Sequence, residues 1–397
     1  MSDRRTIAIA GGGIGGLMAA IALARGGLRV SVFERVGRFA PFGAGIQLSP
    51  NASRILYAFG LGKALAQVAS EPDGMIVRRG RDARELSRAP LKGYMKQRYG
   101  APYLILHRAD LHTILKVAAD KEMDVDMQMG AAVADFARHK NGVTVLTERD
   151  HQLSEHRVSA LIGADGLRST VRGRMFGNDQ PIPAERTAWR ALVPADQLPP
   201  FFAKNTVGLW LGNDAHLVHY PVRGGSVINV VAIVADAWQT SWSGEGWNAP
   251  GDKDELAGRF SAWSPQVREL IDCLPSVSRW ALADRKPLRR WGEGEVTLLG
   301  DAAHPMLPFL AQGGGMAIED AMVLGRCLVQ GRDIASSLRK YERQRKQRTA
   351  RVQREARKMS KIYHYGNPMA LARDKVLKIK TGQKLVDRYR WIYSHKA

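Results

Sequence analysis

Between Thr6 and Glu34 the chain runs TIAIAGGGIGGLMAAIALARGGLRVSVFE, and this stretch constrains the fold more than any other. A short apolar strand over Thr6–Ala10 leads into Gly11, Gly13 and Gly16 at G-x-G-x-x-G spacing. Small apolar residues from Leu17 to Ala24 suit a helix packed close to a sheet. Gly26 and Gly27 end that helix, and a second strand over Arg29–Phe33 closes on Glu34. Strand, glycine turn, helix and strand with a terminal carboxylate form the dinucleotide-binding βαβ unit. Gly11 makes the tight turn, Gly13 admits a pyrophosphate to the backbone, and Gly16 lets the helix lie on the strand. The helix N-terminus offers free N–H groups and a positive dipole end to phosphates, and Glu34 accepts hydrogen bonds from a ribose.

The 397 residues exceed one ordinary small core, so the chain predicts two packed domains or one large α/β unit. A glycine-flanked segment, FGAGIQLSPNA from Phe42, leads to a helix that Asn51 is placed to cap. LILHRADLHTIL predicts a strand passing into a helix with Arg108 at the junction and Asp110 near the cap. A hairpin is expected at Asn141-Gly142. ALIGADGLRSTVR predicts a strand, an Asp165-Gly166 turn and a short helix. From about Thr187 to Asp236 the pattern turns β-rich, which marks a second, sheet-based domain. Trp238 to Ser278 reads as a helical excursion.

Hydrophobic residues make up 45%, which excludes global disorder. Cys273 and Cys327 match no metal or redox spacing, so a reducing cytoplasm is the default. No transmembrane span is visible. Lys and Arg total 59 against 38 acidic residues, a formal +21 that attracts anions. Much of the excess lies in RKYERQRKQRTARVQREARKMSK from Arg339, read as a helix with a charged outer surface. No zinc-finger or RNA-binding signature accompanies it, so no specific nucleic acid partner is expected.

A second Gly-Asp turn lies far downstream, in GDAAHPMLPFLAQGGG from Gly300. The apolar strand before it ends at Asp301, where ligands of α/β sheets tend to bind. A cofactor held at its adenosine end by the first glycine loop has a far end to be gripped, and FAD is long enough to need both. Asp301 then accepts from ribityl hydroxyls. Gly313, Gly314 and Gly315 bring N–H groups to the flavin ring, and a helix starting near Met316 aims its positive end at the pyrimidine edge.

These three motifs in order resemble the single-component FAD-dependent aromatic hydroxylases, over a span from about Thr6 to Tyr365. Within that family GAGIQLSPNA, HRADLH and HLVHYPVRGG are similar to the salicylate, 3-hydroxybenzoate and 6-hydroxynicotinate hydroxylases. The resemblance implies an α/β fold: a Rossmann-like FAD-binding domain of the glutathione-reductase type (1–75, 100–180, 280–335). An inserted β-sheet substrate domain (76–99, 181–279) and a C-terminal helical region (336–397) complete it. NADH or NADPH, bound transiently, reduces FAD; dioxygen adds at flavin C4a, and the hydroperoxide hydroxylates an electron-rich ring. The expected substrate is a small hydroxylated aromatic acid, salicylate-like, and the expected state a cytoplasmic monomer or homodimer. Arg108 is implied at the FAD phosphate and Asp165 at both FAD and the nicotinamide cofactor. Further implied cofactor contacts are Gly15, Arg35, Gly45, Gln47 and Val133.

An electrophilic attack on a phenol calls for a base. In HLVHY, His216 and Tyr220 have the even spacing that puts both on one strand face, with His219 opposite. The resemblance places such a pair at the substrate, with His216 as base and Tyr220 as orienting partner. His304 is expected to shape the cofactor loop. Gln47, Pro308 and Phe309 are expected to line the ring pocket. Some relatives carry polar residues at the positions of Pro308 and Phe309, so the specificity is expected to differ from theirs. Two rivals stand beside this reading: an FAD enzyme of similar architecture acting on a prenyl or alkene substrate, and a basic membrane- or nucleic-acid-binding protein.

Overall fold

The computed structural model describes residues 5–39, 44–177, 180–236, 248–380 and 382–397. Phe42, Gly43 and the start of the expected helical excursion at Trp238 lie outside them. The strand Thr6–Ala10 is flanked by Arg29–Glu34 on one side and Ala160–Gly163 on the other, all parallel. Val125–Met129 extends the first side and Val296–Leu298 the second. Gly292–Glu293 adds a short antiparallel edge. With the strands in this order the chain reverses direction beside Thr6–Ala10, so the ends of the central strands open on one crevice. The central strands Thr6–Ala10, Ala160–Gly163 and Val296–Leu298 are largely apolar because helices cover them; Ile7, Ile9, Leu161, Ile162 and Leu298 are fully buried.

The helix Ile14–Ala24 lies on this sheet and against the helix Gly313–Gln330. Close approach is possible because Gly15 and Gly16 carry no side chain. A Cβ on Gly16 would sit 1.9 Å from the Gly11 carbonyl oxygen, and one on Gly15 would sit 2.6 Å from Leu299. A hairpin does form at Asn141, between Ala132–His139 and Gly142–Arg149, and Gln152–Val158 makes it three-stranded.

Among the described residues the second sheet has eight strands and one parallel pair, Thr206–Leu211 with Gly74–Arg79. Its centre is Ile182–Pro194, Val227–Ala235 and Ala215–Val222, joined antiparallel. Period-two alternation gives it two different faces. One carries Trp189, Trp210, Leu217 and His219 and packs on the helices Lys253–Arg259 and Pro265–Asp272, which occupy part of the expected excursion. The other carries Ala188, Ile233 and His216 and turns towards Phe309. The Gly45 N–H donates to Asn229 Oδ1 at 2.7 Å, fastening the strand Gly45–Leu48 across this face.

Three local expectations are corrected. Asn51 does not cap its helix: Ser49 precedes Pro50–Ala58, and the Asn51 amide donates instead to Glu319 at 2.7 Å and Gln312 at 3.2 Å. The late helix begins at Gly313, so the glycine triplet is its first turn rather than its lead-in. The basic helix, Ile334–Tyr363, is not simply a solvated surface. Arg345 is fully buried between Glu319 and Asp320, Arg348 also holds Glu319, and Arg357 holds Asp284. Burial penalises the charges of Glu319 and Asp320, yet their partners more than offset it. Arg345 and Arg348 hold Glu319 below the ordinary carboxylate range, and His304 with Arg345 holds Asp320 at about 2.

Arg345→Ala takes one cation from two buried carboxylates, leaving Glu319 to Arg348 and Asp320 to His304, and is expected to lower the unfolding free energy by about 3 kcal/mol in urea titrations. Because the Asp320 pKa falls on folding, its contribution is complete above pH 3.8 and is lost as pH drops towards about 2.

Candidate active site

The crevice between the two sheets gathers most of the residues singled out in the sequence. Gly13 precedes the first helix with an extended backbone, and a Cβ built there meets no atom within 4 Å. Gly11 differs: at φ +98° its Cβ would lie 2.6 Å from the Ala164 carbonyl oxygen, so it serves the turn. The Glu34 carboxylate accepts from the N–H groups of Gly12 (2.7 Å) and Val36 (3.0 Å). Arg35 is exposed just beyond it. Val133 packs its side chain into the main core, leaving its backbone as the part that can face a ligand. Gly15 is filled against by Leu299 and Ala317, which makes it a packing residue first.

Asp165 and Asp301 follow neighbouring parallel strands. Asp165 Oδ2 accepts from the Val171 N–H at 3.2 Å, while Oδ1 is buried with no partner. Burial pushes the Asp165 carboxyl above its ordinary range. Asp301 opens onto the crevice, and its carboxyl is likewise raised by desolvation, against the pull of His304 and Arg108. Arg108, at the start of its helix, is exposed on the same side. His304 is buried and bonded to Asp320, which also accepts from the Gly300 N–H at 3.1 Å; it shapes the turn, as expected. Arg172 donates to the Ala302 carbonyl at 3.0 Å and ties the two Asp turns together.

Gly313–Gly315 form a first helical turn, whose N–H groups have no partner within the helix. The loop before them is braced by Gln312 Nε2 on Ser49 Oγ at 2.9 Å. An open approach at Gly13, an orphan carboxylate oxygen at Asp165, a carboxylate facing the cleft at Asp301 and a free helix N-terminus fit FAD along its length.

Beyond the flavin end lies a cavity of about 440 Å³. Gln47, His216, Pro308 and Phe309 all line it, with Tyr103. The Tyr103 hydroxyl donates to Gln47 Oε1 at 2.5 Å. Tyr220 lies on the His216 face of its strand but packs against Gly45, where a Cβ would come within 2.3 Å of its ring. Burial pushes the Tyr220 hydroxyl up to about 12, with the Gln47 hydrogen bond and the Arg190 charge pulling it down. His219 faces the other way, among Phe202 and Trp210, as expected.

His216 is held by a relay that sequence reasoning missed. Arg186 Nε donates to His364 Nδ1 at 2.9 Å, and His364 Nε2 meets His216 Nδ1 at 2.7 Å. Burial lowers the pKa of both rings, His216 well below 6.5 and His364 to about 3, so both are neutral near pH 7. A guanidinium only donates, so neutral His364 carries its proton on Nε2 and donates onward. His216 Nδ1 therefore accepts, and the His216 proton sits on Nε2. In this tautomer His216 presents a hydrogen-bond donor at Nε2.

Arg190 was also missed. It stands on the cofactor face, half-buried over the Trp280 ring at 4.8 Å, with Nε buried and unbonded. The one signal for it was a lone arginine inside the apolar strand TAWRALVP.

A family model described as FAD binding domain matches residues 4–356, and the chain belongs to that family. It is a flavoprotein monooxygenase, as its relatives are. The 3-hydroxybenzoate 6-hydroxylase of Polaromonas naphthalenivorans is 37% identical over 388 residues, covering 98% of this chain and 95% of that protein. The 3-amino-4-hydroxybenzoate 2-monooxygenase PtnB3 of Streptomyces platensis is 37% identical over 398 residues, covering 100% and 97%. A salicylate hydroxylase solved as a substrate complex superposes with a TM-score of 0.84 at 27% identity, covering 100% of this chain and 97% of that one. Among the described residues no helix is long and apolar enough to cross a membrane.

Proposed function

We propose that the protein hydroxylates an aromatic ring that already bears a hydroxyl group, using NADH or NADPH and dioxygen. The observation that carries this reading is the cavity itself: one wall comes from the turn after Asp301, the other from the His216 strand. A ring placed there lies against the flavin end of the groove. Bound FAD supplies the electrons and the activation of dioxygen.

The protein's own side chains position the ring and stabilise its ionised form. His216 Nε2–H donates to the ring oxygen and favours the phenolate, which is the more reactive nucleophile. The Arg186–His364 relay supports this donor role, because it fixes which nitrogen carries the proton. Gln47, held by Tyr103, orients the second edge of the ring, and Tyr220 backs Gln47. Arg190, whose Nε is buried and unbonded, offers its guanidinium to an anionic substituent. Phe309 and Pro308 exclude water from the ring pocket.

The test is a screen of hydroxylated benzoates and pyridine carboxylates with FAD-loaded protein. Stimulated NAD(P)H oxidation, oxygen uptake and a product heavier by one oxygen atom are expected for at least one of them. Oxidation that no phenolic compound stimulates, with no hydroxylated product, would overturn the reading.

A further inference from the structure

The cavity is larger and more apolar than a single substituted ring requires. At about 440 Å³ it falls within the roughly 300–1,000 Å³ of pockets that bury drug-sized ligands. Gln47, held by Tyr103, and His216, beside Phe309, supply polar groups near the ring. The floor then runs outward across the sheet. Val77, Leu209 and Val218 are cross-strand neighbours on three adjacent strands, and Leu211 pairs with His216. All five therefore stand on one face, so the apolar floor begins at His216 and continues away from it.

The roof comes from the C-terminal helices. On Met369–Ile379 the residues Met369, Ala372 and Val376 line the cavity at helical spacing. Met369 and Val376 remain about half exposed, at 51% and 49%. Leu377 of this helix packs on the floor beside Val77 and Leu209, and the cavity lies alongside that contact, its apolar walls suited to an apolar chain. The chain end that forms this roof is pinned: Arg54 donates to the His395 carbonyl at 2.6 Å and Arg348 to that of Trp391 at 2.8 Å.

We propose that the substrate is a hydroxylated aromatic carrying an alkyl or alkenyl arm of several carbons. The ring lies at His216 and Phe309, and the arm runs between the Val77–Leu209–Val218 floor and the Met369–Val376 helix. This rests on the reading of the chain as an aromatic hydroxylase and adds the class of ring it accepts. Pro308 and Phe309 agree with it, because they continue the apolar lining to the ring; Arg373, Lys380 and Arg388 add charge elsewhere in the lining.

The test uses FAD-loaded protein and salicylic acids bearing hydrogen, ethyl, butyl or hexyl, in two series substituted at ring position 4 or 6. Affinity is measured by titration calorimetry and turnover by product analysis. In at least one series Kd is expected to fall about fourfold per methylene, the fold-change equivalent to roughly 0.8 kcal/mol per buried CH₂. Ala372→Trp, at an exposed position of its helix, is expected to flatten that series while far-UV circular dichroism keeps the native signature. Affinity that stays constant or weakens with arm length in both series would overturn the proposal. So would a length dependence that Ala372→Trp leaves intact, since the arm would then lie elsewhere. Affinity rising with length while no member is hydroxylated would leave the cavity assignment standing and defeat the proposed function instead.

Discussion

Gly13→Val is expected to give a folded protein with no yellow colour. The two halves of that outcome have separate causes. Gly13 has φ −71° and ψ −178°, an extended conformation open to any residue, and a Cβ there meets no protein atom within 4 Å. The chain therefore loses nothing on folding. The same space is where the pyrophosphate of FAD must approach the backbone N–H groups at the helix N-terminus, and a branched side chain occupies it. Flavin absorbance per protein after purification should fall to background, while far-UV circular dichroism keeps the native signature. Thermal stability should drop only to that of wild-type protein stripped of FAD, because a ligand bound solely to the native state stabilises by mass action. Gly16→Ala provides the contrast. Its Cβ would fall 1.9 Å from the Gly11 carbonyl oxygen, so that variant should misfold rather than merely lose its colour. Normal flavin content in Gly13→Val would remove the first glycine loop from the cofactor site.

What was legible in the sequence was what local pattern encodes. The glycine spacing, the carboxylate after the second strand and the two Asp turns each carry their meaning within about thirty residues, and each falls where expected. The even spacing of His216 and Tyr220 put both on one strand face because the period of a strand is two. The relay behind His216 was not legible. His364 lies 148 residues further on, at the end of a long helix, and only tertiary packing brings its ring to 2.7 Å from His216. The same holds for the basic helix. A run of arginines alone reads as a solvated surface; the structure buries Arg345 because Glu319 and Asp320 stand in the otherwise apolar stretch MAIEDAMVL. Two adjacent carboxylates inside such a run were the available signal, since charges in a packed helix require partners. Asn51 shows the limit from the other side. A cap is the commonest use of an asparagine at such a place, but a buried glutamate 268 residues away offered a charged acceptor, and a hydrogen bond to a charged group is the stronger one.

His216→Ala is expected to lower the rate of coupled hydroxylation on the order of a hundredfold to a thousandfold while leaving FAD bound. That is the range observed when one preorganised donor to a developing or stabilised oxyanion is removed. FAD retention follows from position, since His216 lines the ring cavity and not the glycine loops. His216→Gln separates the two roles a histidine can play here. A glutamine amide can donate to the ring oxygen but has no basicity, so it should recover at least tenfold over alanine if His216 acts through Nε2–H. If His216 removed the phenolic proton, alanine and glutamine would be equally deficient, and the tautomer drawn from the relay would be wrong. The relay itself is open to the same measurement. His364→Phe takes away the donor to His216 Nδ1, so the His216 proton is no longer confined to Nε2 and part of the rate should be lost without loss of flavin. The pH dependence has a definite sign. Burial holds His216 well below 6.5 and His364 at about 3, so both stay neutral as pH falls from 8 towards 5 and neither should impose an acid limb on kcat/KM in that window. Stability behaves differently, because the unfolded chain takes up protons at these histidines near pH 6.5 while the folded chain does not. The folded state should therefore weaken steadily below pH 6.5, by up to about 1.4 kcal/mol per pH unit for each buried ring, and His364→Phe should shed one such share of the slope.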